Sequence, residues 1–270
     1  MSRPLWFVSL LRSTFGSRFL LARLTRVPLI RGLVDRALFE GDDLFYLPRE
    51  TRIPVDQPLS RSEEMVLPSQ VVTSFVERAR YHWIMDTCIC RVSSHCQDYP
   101  LDLGCLFLGE AVLNINPKLG HLATVEEALD HVRRCREAGL VHLVGRNKLD
   151  TVWLGVAPGH KLLTICNCCP CCCLWRILPD LDPSIGAKVG RMPTVEVRVT
   201  ARCVGCGHCT EGVCFAGAIR LEGGRAVVGD ACRGCGRCVD VCPQGAIELT
   251  YDPGAFKTAV DRLRSLVDVS

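Results

Sequence analysis

Apolar positions recur with a helical period in three stretches of the chain. Over 69–85, Val71, Val72, Phe75, Val76, Ala79 and Trp83 fall on one stripe, which predicts a helix along that whole segment. Over 125–138 the stripe is Val125, Ala128, Leu129, Val132 and Cys135. Thr124 and Glu127 supply a capping box before it, and Gly139 supplies a stop after it. The third helix is expected at the C-terminus, over 255–267. Short apolar runs predict strands at 140–144, 151–156, 162–166 and 195–200. Residues 219–222 and 225–228 read as a hairpin turning on Gly223-Gly224, with 246–251 as its counterpart strand. Pro48, Pro54, Pro58 and Pro68, with Gly41-Asp42-Asp43 ahead of them, mark 41–68 as a connector.

The first forty residues follow a different pattern. Arg3, Arg12, Arg18, Arg23, Arg26 and Arg31 all precede the first acid, Asp35, and apolar groups fill the gaps between them. No apolar run there is long enough to span a bilayer. Two readings fit. One is a basic amphipathic helix lying on a membrane surface or a partner. The other is one or two helices packed on the body with their arginines solvated. An organelle transit peptide shares this composition, but no cleavage site is marked.

Composition changes the picture at one point. Hydrophobic content (48%) and charge (23%) are those of a globular protein, and a net charge of +3 is too small to argue for nucleic acid. Cysteine, however, occurs 19 times, always between Cys88 and Cys242. A secreted disulfide scaffold would be shorter, with an even cysteine count and a signal peptide. Metal binding in a reducing compartment fits better, so the cytoplasm is expected, at the inner face of a membrane if residues 1–40 lie on one.

The C-terminal cysteines form a repeat. Cys203-Val-Gly-Cys206-Gly-His-Cys209 is echoed by Cys232-Arg-Gly-Cys235-Gly-Arg-Cys238, and each run is followed by a fourth cysteine, Cys214 or Cys242. Gly217-Ala218-Ile219 and Gly245-Ala246-Ile247 then repeat as well. Three thiolates two residues apart can wrap one side of a cubane, and the glycines let backbone N–H groups turn toward sulfur. One tight loop cannot enclose a cube, so the fourth ligand must come from elsewhere. Zinc, which also takes CxxC pairs, has no use for the third closely spaced cysteine.

This region resembles the two-cluster bacterial ferredoxins over residues 195–252. In that family the fourth cysteine of each run ligates the other cluster. The resemblance implies two [4Fe–4S] clusters, one held by Cys203, Cys206, Cys209 and Cys242, the other by Cys232, Cys235, Cys238 and Cys214. The second run, ending Cys242-Pro243, matches the family pattern. The first departs from it: four residues separate Cys209 from Cys214, and Phe215 stands where proline is usual. His208, Arg233 and Arg237 lie within the loops, either as solvated residues or as groups that tune potential or dock a partner.

Eleven cysteines remain. Cys135 belongs to the helix stripe and reads as a core thiol. Cys88 with Cys90, and Cys166 with Cys168, are same-side pairs in extended chain and together could supply four thiolates to a third centre, an Fe–S cluster or zinc. Cys96, Cys105, Cys169, Cys171, Cys172 and Cys173 are weaker candidates, some of them core or supporting thiols. His95 and His142 are imidazole candidates that also read as structural histidines. Cys-Ile-Cys-Arg, His95, Pro100, Gly104-Cys105-Leu and the later Cys-Asn-Cys-Cys-Pro-Cys-Cys-Cys run resemble a group of anaerobe iron–sulfur proteins, in which a cysteine-rich module precedes a dicluster ferredoxin domain. That resemblance brings no catalytic residue.

The expected class is α+β, with a ferredoxin-like dicluster module behind a larger, helix-rich mixed domain. The expected organisation is a basic segment at 1–40, a cysteine-rich domain at 41–194, the module at 195–252 and a terminal helix at 253–270. The expected function is electron transfer, as a carrier or as a subunit working with redox partner proteins. The alternatives are a redox enzyme whose N-terminal centre binds substrate, and a membrane-associated adaptor. No glycine fingerprint points to a flavin or nicotinamide.

Overall fold

The computed structural model describes residues 2–49, 68–252 and 254–270. Pro54 and Pro58 of the expected connector lie outside the described residues. What precedes them is not a connector. Asp43–Tyr46 is a strand (β1) inside a seven-stranded sheet, with Leu44, Phe45 and Tyr46 buried.

The remaining strands of that sheet are His82–Met85 (β2), Leu106–Leu108 (β3), Gly120–Ala123 (β4), Val141–Arg146 (β5), Leu163–Cys168 (β6) and Val189–Arg191 (β7). Their order is β4-β2-β3-β6-β5-β1-β7. Each neighbouring pair is antiparallel except β1 and β7, which run parallel. β6 is therefore interior, with Cys166 opposite Leu143 and Cys168 opposite Val141.

Alternation sends each strand's side chains to two different cores. Phe45, Val144 and Ile165 enter the core roofed by the helices Pro68–Arg78 (α1), Val125–Glu137 (α2) and Ala255–Leu266 (α3). Leu44, Tyr46, Leu143 and Cys168 enter the other, which also takes Phe15 and Ala22 of the N-terminal segment and Phe215, Ala216 and Ala218 of the C-terminal module. The fold is mixed α+β.

The N-terminal segment forms short helices over Leu5–Thr14, Arg18–Leu24 and Pro28–Val34. They pack inward through Val8, Phe15 and Ala22. Trp6, Leu20, Leu29 and Leu33 remain largely exposed. No helix among the described residues is long and apolar enough to cross a membrane.

Two expected elements change type. The stripe over 69–85 breaks: α1 ends at Arg78, and Trp83 belongs to β2, a strand buried on both faces. A strand so buried carries no period-2 signal to distinguish it from a helix stripe. The strand expected at 151–156 is instead a helix over Lys148–Leu154. The Asn147 side chain caps it by accepting from the Leu149 N–H, and Gly155 closes it at φ +67°. The caps outweigh the β-branched pair Thr151-Val152. By contrast, α2 starts at the expected capping box, both halves of which are formed.

In the module, Ile219–Glu222 (β8) and Arg225–Val228 (β9) form the expected hairpin. Ile247–Thr250 (β10) pairs elsewhere, antiparallel to the strand Glu196–Val199. The two halves of the repeat thus build two small ribbons.

Candidate metal centres

The module's eight thiols fall into two quartets. One cavity is lined by Cys203, Cys206, Cys209 and Cys242. A second is lined by Cys232, Cys235, Cys238 and Cys214. The structure therefore brings the fourth cysteine of each run to the opposite half. Backbone N–H groups point at these sulfurs at matching places in the repeat. Ala218 donates to Cys214 Sγ and Ala246 to Cys242 Sγ, both at 3.3 Å. A loop glycine adds a further donor, Gly234 N–H to Cys232 Sγ at 3.4 Å. Gly205 and Gly234 take φ of +70° and +63°, and a Cβ at Gly205 would meet the Gly224 carbonyl oxygen at 2.1 Å.

The residues within the loops differ in role. His208 is exposed, as a solvated loop residue would be. Arg237 is not: it is buried, and it donates to the Cys168 backbone carbonyl, across to the N-terminal domain. Arg233 reaches the Gly186 carbonyl at 3.2 Å. Phe215, the departure from the family pattern, stacks obliquely on Tyr46 with ring centroids 4.7 Å apart. The position where proline is usual is here an apolar anchor onto β1.

The N-terminal thiols divide into two groups rather than one. The first contains the four expected ligands, Cys88, Cys90, Cys166 and Cys168, and adds Cys105 and Cys173. Cys105 donates to Cys166 Sγ at 3.6 Å. Cys166 bonds Cys168, and Cys168 bonds Cys173. The Tyr46 hydroxyl donates to Cys168 Sγ at 3.9 Å and lies 4.0 Å from Cys173 Sγ. Cys88 precedes the short helix Ile89–Ser93 in an extended conformation, and its thiol bonds that of Cys90 in the first turn. The same-side pairing of Cys88 and Cys90 thus arises at a helix start, not in a strand. Cys90, Cys166, Cys168 and Cys173 pack in one apolar cluster with Cys214, Cys232 and Cys235 of the module.

Charge in this group is uneven. Its bond with Cys90 draws the Cys88 thiol down to about 7, with Arg91 assisting against burial. Bonds from Cys166 and Cys173 hold Cys168 well below the ordinary thiol range. Their thiol neighbours and burial push Cys90, Cys166 and Cys173 far above it. So many crowded thiols cannot ionise together without a cation among them.

The second group is Cys96, Cys169, Cys171 and Cys172, whose sulfurs all lie within 4.8 Å of one another. Among the described residues, the first group contains no trio so tight. Cys169 follows β6 directly and alternates away from Cys168. It shares an apolar cluster with Cys135, Leu140 and Leu103 on the α2 side of the sheet. Cys135 is buried there with its sulfur 3.6 Å from His131 Nε2, a core thiol as expected. Neither imidazole candidate contacts sulfur as a ligand would. His95 is exposed and ends its helix at φ +50°. His142 donates through Nδ1 to Asn167 Oδ1 at 2.8 Å, and burial pushes it down to about 4, so it stays neutral.

Arg91 stands between the two thiol groups and has no counterpart in the sequence-based expectation. It is buried, and donates to the backbone carbonyls of Asn167 and Leu103. Burial opposes its charge, but Cys88, Cys169, Cys105 and Cys168 outweigh burial and strengthen it. A guanidinium held in the interior among sulfurs calls for thiolates around it. The signal was present as Cys-Ile-Cys-Arg, but nothing local shows that this arginine turns inward.

Comparison with known proteins supports iron–sulfur chemistry. The model of the LdpA Fe-S cluster-binding domain matches residues 210–251, a span containing Cys214, Cys232, Cys235, Cys238 and Cys242. The chain is 33% identical over 114 residues to a subunit of the selenate reductase of Mesobacillus selenatarsenatis, an alignment covering 39% of this chain. It spans 38% of the length of that relative. No solved structure matches. The C-terminal module is an iron–sulfur cluster-binding segment.

Proposed function

We propose that the chain is an electron-transfer subunit with three iron–sulfur centres in series. Two [4Fe–4S] clusters occupy the module's two quartets, and a third centre occupies the six-thiol group. One observation carries the series: four thiols of the six-thiol group and three of the second quartet share a single apolar cluster. That cluster is bridged by Tyr46 on Phe215 and by Arg237 on the Cys168 carbonyl. The spread of the six thiols suits a cluster, whose thiolates sit on different irons, better than a single ion. Cys206 and Val204 are exposed, which makes the first quartet the port for a redox partner. Each centre accepts one electron and passes it on, with no bond made or broken. A partner assembly is in keeping with the relative, which is one subunit of a selenate reductase.

Anaerobic purification followed by iron and sulfide analysis tests this directly. About twelve irons per chain are expected, with distinct EPR signals during reductive titration. Recovery of far fewer than eight irons, with zinc in the module, removes the redox assignment.

A second reading concerns the N-terminal helices. Trp6, Leu20, Leu29 and Leu33 stand exposed among arginines, the pattern of a surface that settles on anionic lipid. Vesicles with phosphatidylserine should retain the protein at low salt, and a Leu29→Glu/Leu33→Glu variant should bind severalfold more weakly. Equal retention of both proteins removes this reading.

A further inference from the structure

We infer that Cys96, Cys169, Cys171 and Cys172 form a separate mononuclear site holding one zinc ion in a closed shell of four thiolates. This site is additional to the three proposed iron–sulfur centres and does not depend on them.

The spacing selects one ion. Thiolates about 2.3 Å from a tetrahedral zinc lie about 3.8 Å from one another. Cys171 Sγ is 3.6 Å from both Cys96 Sγ and Cys172 Sγ, and no pair among the four exceeds 4.8 Å. A four-iron cube spreads its thiolates over four metals and holds them much farther apart. There is no room for one between these sulfurs.

Local structure fixes each donor. The helix Ile89–Ser93 ends with His95 in the left-handed region, and the Cys96 N–H bonds back to the Arg91 carbonyl at 3.0 Å. That closing turn aims Cys96 at the 169–172 segment, where the chain leaves β6 and turns at Pro170. The Arg176 guanidinium donates to the Cys171 carbonyl at 2.5 Å and pins the turn. The backbone N–H groups of Asp98 and Tyr99 both donate to the Cys96 sulfur. Two backbone donors on one sulfur are what an anionic ligand takes up. The shell around the donors is apolar, from Leu103, Leu140, Cys135 and Tyr99. Four thiolates with no open position make a structural site, and soft sulfur donors in a tetrahedron favour zinc. Such an ion would tie the loop after Ile89–Ser93 to the end of β6. The helix and strand that these segments extend carry Cys90, Cys166 and Cys168 of the proposed third cluster.

The test uses full-length protein purified anaerobically. Metal analysis should give about one zinc per chain in addition to iron, and zinc-edge X-ray absorption should show four sulfurs at about 2.3 Å. In Cys169→Ser/Cys172→Ser, zinc should fall more than tenfold, while iron content and the EPR of the reduced protein stay unchanged. Wild-type protein without zinc overturns the site, as does a variant that keeps its zinc or loses iron instead. If the variant does not fold, the wild-type edge spectrum decides: oxygen or nitrogen neighbours, or no zinc at all, overturn the proposal. Iron content and EPR report on the electron-transfer reading, so the two can fail separately.

Discussion

The six-thiol and four-thiol groups draw on the same stretches of chain, and they differ in almost everything else. Cys90 of the helix at 89–93 packs in the cluster shared with the module, while Cys96, past its far end, packs in the cluster beside α2. Cys166 and Cys168 turn to one face of β6 and Cys169 to the opposite one. The six thiols are spread out, and four of them, Cys90, Cys166, Cys168 and Cys173, share an apolar cluster with the module. The four thiols are within 4.8 Å of one another and sit apart from the module, beside α2. A cysteine-rich run is therefore not one site. Alternation across a sheet divides it into two, and the spacing on each side decides whether a cluster or a single ion fits.

The strongest challenge to that division is to empty the spread group alone. Cys166→Ser/Cys168→Ser should lose about a third of the iron and one EPR signal, with the module's signals intact. The four-thiol variant should lose none. If the two variants lose the same iron, the groups are one site and the comparison fails.

Arg91 tests whether both groups are anionic. Arg91→Met keeps the volume and removes the cation, leaving thiolates on either side unopposed. Loss of one partner of a buried charged set costs about 3–5 kcal/mol. Anaerobic denaturant unfolding should show a loss of that order, and Arg91→Lys should recover only part of it. A loss under about 1 kcal/mol would mean that the surrounding sulfurs are neutral thiols.

Phe215 sharpens the contrast from the module's side. It is buried against Tyr46, and truncating a packed phenylalanine costs about 3 kcal/mol. In Phe215→Ala, hydrogen exchange should rise around 213–218 and electron exchange between the module and the six-thiol centre should slow. Iron content should hold. The corresponding change on the four-thiol side, Leu140→Ala, should destabilise the protein without touching electron exchange. Unchanged electron exchange in Phe215→Ala would remove this contact from the route.

How much of this could be read from sequence follows from how local each determinant is. The hairpin at 219–228 and the capped helix at 125–137 are set by neighbouring residues and fall where the pattern puts them. The repeat shows that there are two similar loops, but which half supplies each fourth cysteine came from the resemblance to the two-cluster ferredoxins, and two cavities are lined by those same two sets. The pairing of Cys166 with Cys168 followed from alternation alone. Cys105 and Cys173 joining them, and Cys96 meeting the 169–172 turn, depend on β3, β6 and the helix at 89–93 coming together across the chain. No window of sequence contains that. The strand at 43–46 was masked by flanking glycine and proline, and its burial between β5 and β7 is a property of the sheet. Phe215 could be seen as a departure from the family pattern, but its partner Tyr46 lies in that masked strand.

The smallest expected effect comes from a buried acid that neither thiol group involves, and it serves as their control. Asp42 Oδ1 accepts from the Lys148 N–H at 2.6 Å, while Oδ2 is buried without a hydrogen-bond partner. Burial raises its carboxyl from 3.8 to about 7. The folded chain therefore holds a proton that the unfolded chain has already released. This contribution to stability is complete below pH 3.8 and fades as the pH climbs to about 7. Asp42→Asn keeps the acceptor to Lys148 and removes the charge, but it buries an amide N–H₂ that must find a partner. The gain over wild type should thus be modest, about 1 kcal/mol at pH 8, and should turn into a loss near pH 4, where the wild-type carboxyl is protonated and the amide's cost remains. Unfolding of the two proteins across that range checks it, with metal content constant throughout. A difference that does not vary with pH would mean that Asp42 ionises normally. A difference that tracks zinc or iron would mean that this end of the sheet is coupled to the thiol groups, and the control would become part of the comparison.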